Sequence, residues 1–103
     1  MGADEFYNKK SAKTAAEAFK ALVDEALYKE GHDGYTGTIA EKGDFRMVEP
    51  HIGESPKECV RRLLEDESHW SQDKFGPAAC IDAGPSQKVP GNRLFMFFGW
   101  AAS

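Results

Sequence analysis

The residues best equipped for chemistry lie in one run, Gly31-His32-Asp33-Gly34-Tyr35-Thr36-Gly37-Thr38-Ile39-Ala40-Glu41-Lys42, with three glycines at spacing three and polar groups between them. Two chemistries suit such a run. Loop amides and the Thr36 and Thr38 hydroxyls, with Lys42 nearby, can cradle an anion. His32, Tyr35 and Glu41 can supply a general base and the groups that orient it. Position argues against the first in its familiar form. Phosphate loops lead from a strand into a helix N-terminus, where free amides favour negative charge, whereas these glycines follow a helix C-terminus, where the field is reversed. A structural account competes with both chemistries. It gives Gly31 to stopping the helix, Gly34 to a turn, Gly37 to close strand packing and Glu41 to a pair with Arg46.

A second constellation is His69-Trp70-Ser71-Gln72-Asp73-Lys74. Trp70, flanked by polar groups and by Lys74, can stack a base or another planar ligand, or it can close over the core behind a helix. Trp100 is assigned to the core. Cys59 falls in an apolar helical stripe and Cys80 has no histidine nearby in sequence, so neither is read as a nucleophile and both are expected to be free thiols. His51 lacks companions at metal-ligand spacing, and no metal or cofactor is assigned.

The elements that would hold these groups follow from periodicity. Residues 1 to 10 show none and are read as a loosely ordered arm, which Phe6 and Tyr7 can pin to the body. Thr14-Ala15-Ala16-Glu17 has capping-box form, Ala15, Phe19, Leu22, Val23, Ala26 and Leu27 recur at helical spacing, and Gly31 is the stop. From Gly37 the pattern suggests a hairpin turning at Gly43-Asp44, with Glu41 opposite Arg46 and Ile39 opposite Val48. Ser55-Pro56-Lys57-Glu58 starts a second helix, with Cys59, Val60, Leu63 and Leu64 buried and Glu58 paired to Arg62. Pro77 to Ala83 reads as a strand and Gly84 to Asn92 as a loop. Arg93 to Ala101 is apolar at consecutive positions, so both its faces need cover, as an inner strand or one sealed by a second subunit. The expected fold is one α+β domain over residues 1 to 103. Its order is α-β-β-α-β-β, a four-stranded, mostly antiparallel sheet with two helices on one face.

Composition narrows the function classes. The chain has 103 residues, 13 Lys and Arg against 17 Asp and Glu, a net charge of −4 and interspersed signs, which argues against a broad nucleic-acid surface. It contains no apolar run of membrane-spanning length, and Met1-Gly2-Ala3-Asp4-Glu5 is unlike a secretory signal. No membrane association and a cytoplasmic location are expected.

The segment Gly34-Tyr35-Thr36-Gly37-Thr38-Ile39-Ala40-Glu41-Lys42, with Phe97-Phe98-Gly99-Trp100-Ala101 far downstream, resembles small proteins of bacteriophages and mobile elements that carry no assigned activity. The resemblance implies context alone: a compact cytosolic accessory protein of the sort that counters or modifies a host system. The expected function is a binding protein, not an enzyme, and a homo-oligomer. Its ligand would be a small anionic or nucleotide-like molecule held by His32, Tyr35, Thr36, Thr38, Glu41 and Lys42 with Trp70 and Lys74. The alternatives are a protein-interaction module that inhibits a host factor and a small hydrolase or transferase using Glu41 and His32.

Overall fold

A computed structural model describes residues 2–103. Four strands and two helices follow one another as β1 (Ala3–Ala12), α1 (Ala15–Glu30), β2 (Phe45–Met47), α2 (Pro56–Glu65), β3 (Ala78–Pro85) and β4 (Arg93–Ala102). Short 3-10 turns sit at Ile39–Glu41 and Trp70–Gln72. The fold is α+β, around a four-stranded mixed sheet in the order β1-β4-β3-β2. β4 is antiparallel to both β1 and β3, while β2 runs parallel to β3.

Both helices start where their caps dictate. The Thr14 side chain accepts from the Glu17 amide at 3.1 Å, and Gly31, at φ 84°, closes α1 by donating its amide to Leu27. At α2 the Ser55 and Glu58 capping box is complete in both directions, with Pro56 in the first turn. Glu58 is thereby occupied at the cap. Arg62 pairs instead with Glu54, its Nε 2.7 Å from a carboxylate oxygen, so the expected Glu58 to Arg62 pair does not form.

Three expectations are corrected. Residues 3 to 12 are not a loose arm but a full strand, β1, paired with β4 along its whole length and holding the buried Phe6. The hairpin at Gly43-Asp44 does not form. Ile39–Glu41 is a 3-10 turn capped by the Thr38 side chain, and β2 pairs in parallel with β3, the Ala78 amide of β3 donating to the Asp44 carbonyl and the Val48 amide just past β2 donating to the Cys80 carbonyl. Finally, the helices lie on opposite faces. α1 packs through Ala18 and Leu22 on Phe6, Cys80, Phe95 and Phe97, and α2 packs through Cys59, Val60 and Leu63 on Ala79, Ile81, Met96 and Phe98.

The opposite placement has a topological cause. β1, β2 and β3 all run in one direction, so α1 and α2 are both crossovers between parallel strands. The first crossover carries the chain from one edge of the sheet to the other, and the second turns back. Crossovers of the same hand that travel in opposite directions must use opposite faces. β4 needs this arrangement. Its consecutive apolar residues lie between β1 and β3, with Phe97 turned to α1 and Phe98 to α2, both fully buried. It is an inner strand covered within one chain.

Candidate functional site

The glycine-rich run folds into a self-satisfied loop. A Glu41 carboxylate oxygen accepts from the Thr36 amide at 3.2 Å and from the Thr36 hydroxyl at 2.8 Å, and the Thr36 and Thr38 hydroxyls lie 2.8 Å apart. Burial pushes the Glu41 carboxyl up, but the hydrogen bonds from Thr36 and the Tyr35 backbone outweigh it, and the net direction is down. Lys42 points the other way and is buried at 4% exposure. Its ammonium donates to the carbonyls of Asp73, Lys74 and Gly76 at 3.2, 3.3 and 2.9 Å. Burial pushes this amine below the ordinary lysine range, against the opposing charge of Asp73.

The remaining candidates are dispersed. His32 and Tyr35 are exposed, Tyr35 at a positive φ of 55°. Trp70 packs with the α2-side cluster, on the face of the sheet opposite Ile39. Its ring is flanked by Arg46, 5.2 Å from the centroid, and by His69 at 4.7 Å. Lys74 lies at the surface, its Nζ 3.4 Å from the Gly2 carbonyl. The structure therefore joins Thr36, Thr38 and Glu41, sets Lys42 under the 73–76 turn, and leaves Trp70 apart from them. Glu41 bonds Thr36, while the expected partner Arg46 stacks on Trp70.

The thiols are sealed. Cys59 and Cys80 are free, buried and on opposite faces of the sheet, which prevents a bond between them. Burial pushes Cys80 up to about 12 and also raises Cys59.

The open chemistry lies along β1. Gly2 and Ser103 exchange both backbone hydrogen bonds at 3.1 Å, which fixes the phase of the β1–β4 ladder. Even-numbered residues of β1 bond to β4, so the N–H and C=O groups of Ala3, Glu5, Tyr7, Lys9 and Ser11 point outward from the sheet. Among the described residues these groups have no backbone partner. Beside this edge, on the α2 face, runs a groove of about 460 Å³ floored by Val60 and Leu64, with Tyr7 on one wall and Lys57, Arg61 and Glu65 at the rim. A second cleft of about 630 Å³ lies at the carboxyl ends of β1 and β3. Its lining includes Lys9, Lys10, Lys88, Ser11 and Ser86, and no acidic residue. The Ser11 and Ser86 hydroxyls are 2.8 Å apart there.

These residues escape a reading by periodicity. Among the β1 side chains only Phe6 is fully buried, so the strand shows no apolar alternation. Its one local signal is the aromatic pair Phe6-Tyr7 between charged residues.

Comparisons with protein-family models, with curated proteins and with solved structures find no match to this chain.

Proposed function

We propose that this protein is an interaction module that takes an extended segment of a partner along the free edge of β1. One observation carries the reading: a ten-residue edge strand with outward backbone groups lies beside a groove whose apolar floor comes from a helix. Strand addition needs both parts, because main-chain hydrogen bonds supply affinity and a flanking pocket for alternate side chains supplies selectivity. An open strand of this length is otherwise an aggregation hazard, which proteins usually blunt or cover. The internal use of Glu41, Thr36, Thr38 and Lys42 supports a binding role over hydrolysis or group transfer.

Displayed extended peptides test this. Selected binders should slow amide exchange at Glu5, Tyr7 and Lys9, and Tyr7→Pro should abolish their binding while the fold stays intact, since proline is tolerated where the strand N–H faces solvent. If protection maps elsewhere, or if the proline variant binds unchanged, the edge is not the site.

The second cleft favours another reading, a small anionic or nucleotide-like ligand held by Lys9, Lys88, Ser11 and Ser86. Lys10 is already paired with Glu25, but Lys9 and Lys88 line the cleft with no acidic residue among its lining, in a chain of net charge −4, and the carboxyl ends of parallel strands are a common ligand position. Lys88 separates the readings because it lies off the edge. A nucleotide panel that raises the melting temperature of the protein but not of Lys88→Ala supports the ligand; no rise with any nucleotide excludes it.

A further inference from the structure

The β1 edge carries its own complement. Read along the strand, Asp4-Glu5 precedes Phe6-Tyr7-Asn8 and Lys9-Lys10 follows, so the acidic and basic pairs are placed symmetrically about Tyr7. We propose that the partner engaged by this edge is a second copy of the chain, with the two β1 strands antiparallel and Tyr7 facing Tyr7 across a two-fold axis. This rests on the strand-addition reading above and names its partner.

Hydrogen-bond phase and charge select the same register. Tyr7 has outward N–H and C=O groups, so Tyr7 facing Tyr7 is a closely bonded pair, and Glu5 with Lys9 and Ala3 with Ser11 are bonded pairs on either side. Asp4 falls opposite Lys10 and Glu5 opposite Lys9, each twice by symmetry. Side chains of facing residues share a face, so Glu5 meets Lys9 on the α2 side and Asp4 meets Lys10 on the α1 side. On the α1 side Lys10 already binds Glu25, and Asp4 of the second copy would join that carboxylate around the same ammonium. Neighbouring registers lack the match. Centring on Glu5 or on Lys9 sets like charges face to face, while centring on Phe6 or Asn8 sets every charge opposite a neutral side chain. In-register parallel pairing stacks like on like. Only the Tyr7 register neutralises all four charged positions, and cross-strand charge pairs of this kind set register.

The contact is isologous and closes on itself, which removes both exposed β1 edges in one step and joins the two four-stranded sheets into one. The two grooves between β1 and α2 meet across the axis, where each Tyr7, 40% exposed in the single chain, covers the other.

Sedimentation equilibrium of the full chain, with paired charge reversals, tests the proposal. The protein should form a dimer over the micromolar range. Lys9→Glu with Lys10→Glu, and separately Asp4→Lys with Glu5→Lys, should each weaken the dimer at least about tenfold, because every facing pair becomes repulsive. An equimolar mixture of the two variants restores all four opposite-sign pairs and should form a heterodimer. Circular dichroism checks that each variant keeps its fold, since Lys10→Glu also gives up the ion pair with Glu25; should one reversal pair unfold the chain, the other tests the same register alone. A protein that stays monomeric, a dimer indifferent to either reversal, or a mixture that fails to associate overturns the proposal. Peptides that still protect Glu5, Tyr7 and Lys9 in a monomeric protein would refute self-pairing while leaving the edge as a binding site, so the two ideas fail separately.

Discussion

The ammonium of Lys42 lies 2.9 Å from the carbonyl oxygen of Gly76, in the turn two residues before β3. With the Asp73 and Lys74 carbonyls also within reach, one buried cation holds together the loop that launches a central strand. The Phe6 ring lies 5.8 Å away on the same side, which ties this latch to β1 as well.

Lys42→Met keeps the apolar stem and removes every donor. Three carbonyls lose their partner, and the expected loss is about 2–4 kcal/mol of unfolding free energy, read from a urea titration. A change below about 0.5 kcal/mol, the range of ordinary surface substitutions, would show that the latch is not structural.

Stability in acid should depend on Glu54. The guanidinium of Arg62, and then the His51 amide, hold its carboxyl down to about 2, against an ordinary 4.5. A carboxyl whose folded pKa is depressed contributes stability in full above its unfolded value and loses it as pH falls through the folded one. The contribution of Glu54 is therefore present above 4.5 and fades between 4.5 and about 2. In Glu54→Gln this part of the acid limb should flatten in urea midpoints measured across that window.

Thiol reagents should find nothing in the folded protein. Cys80, pushed up to about 12 by burial and by the nearby Asp82 charge, holds no thiolate near neutrality, and Cys59 is buried on the other face. Ellman titration at mildly alkaline pH should show both thiols silent in the native state and both reactive in guanidinium. Rapid native labelling would mean that the faces open far more readily than this packing allows.

Gly99 interrupts β4 at φ 150°, and an added Cβ would stand 3.1 Å from the Ser71 carbonyl and 3.4 Å from the Phe6 ring. Phe6 is its cross-strand partner and covers the gap, as an aromatic commonly does opposite a strand glycine. Gly99→Ala should cost about 2 kcal/mol from backbone strain and crowding against a backbone atom that cannot swing away. Phe6→Ala should cost about 3–5 kcal/mol through the cavity it opens. Thermal melts rank the two, and the larger effect is expected at Phe6.

Local signals were readable in the residues and distant pairings were not. Thr14, Gly31, Ser55, Pro56 and Glu58 mark helix ends by chemistry contained within a turn, and both helices begin, and α1 ends, as those residues require. The consecutive apolar residues of β4 announce a strand covered on two faces. What they do not announce is which elements supply the cover. Phe6 becomes legible only beside Gly99, more than ninety positions away in the ladder. Gly43-Asp44 looks like a hairpin turn, but β2 finds a better partner in β3, reached through α2. That parallel pairing decides the faces of both helices, so one unrecognised crossover displaced α2 from the expected side. The candidate site shows the same division. The polar richness of residues 31 to 42 was visible in sequence, and its consumption by internal bonds follows from where Lys42 and Glu41 point.

The pairing of β1 with β4 also sets an order of events. β1 precedes its partner β4 by about eighty residues, so during translation β1 must wait, unpaired, until residues 93–102 have left the ribosome. Closing a loop of this length costs about 4 kcal/mol of chain entropy before any contact repays it, which predicts slow, late and highly cooperative completion of the sheet. In that interval the open segment is longest-lived and most exposed to other nascent chains. The acidic pair Asp4-Glu5 and the basic pair Lys9-Lys10 that flank Phe6 and Tyr7 are gatekeeper charges of the kind that discourage apolar strands from joining such an edge.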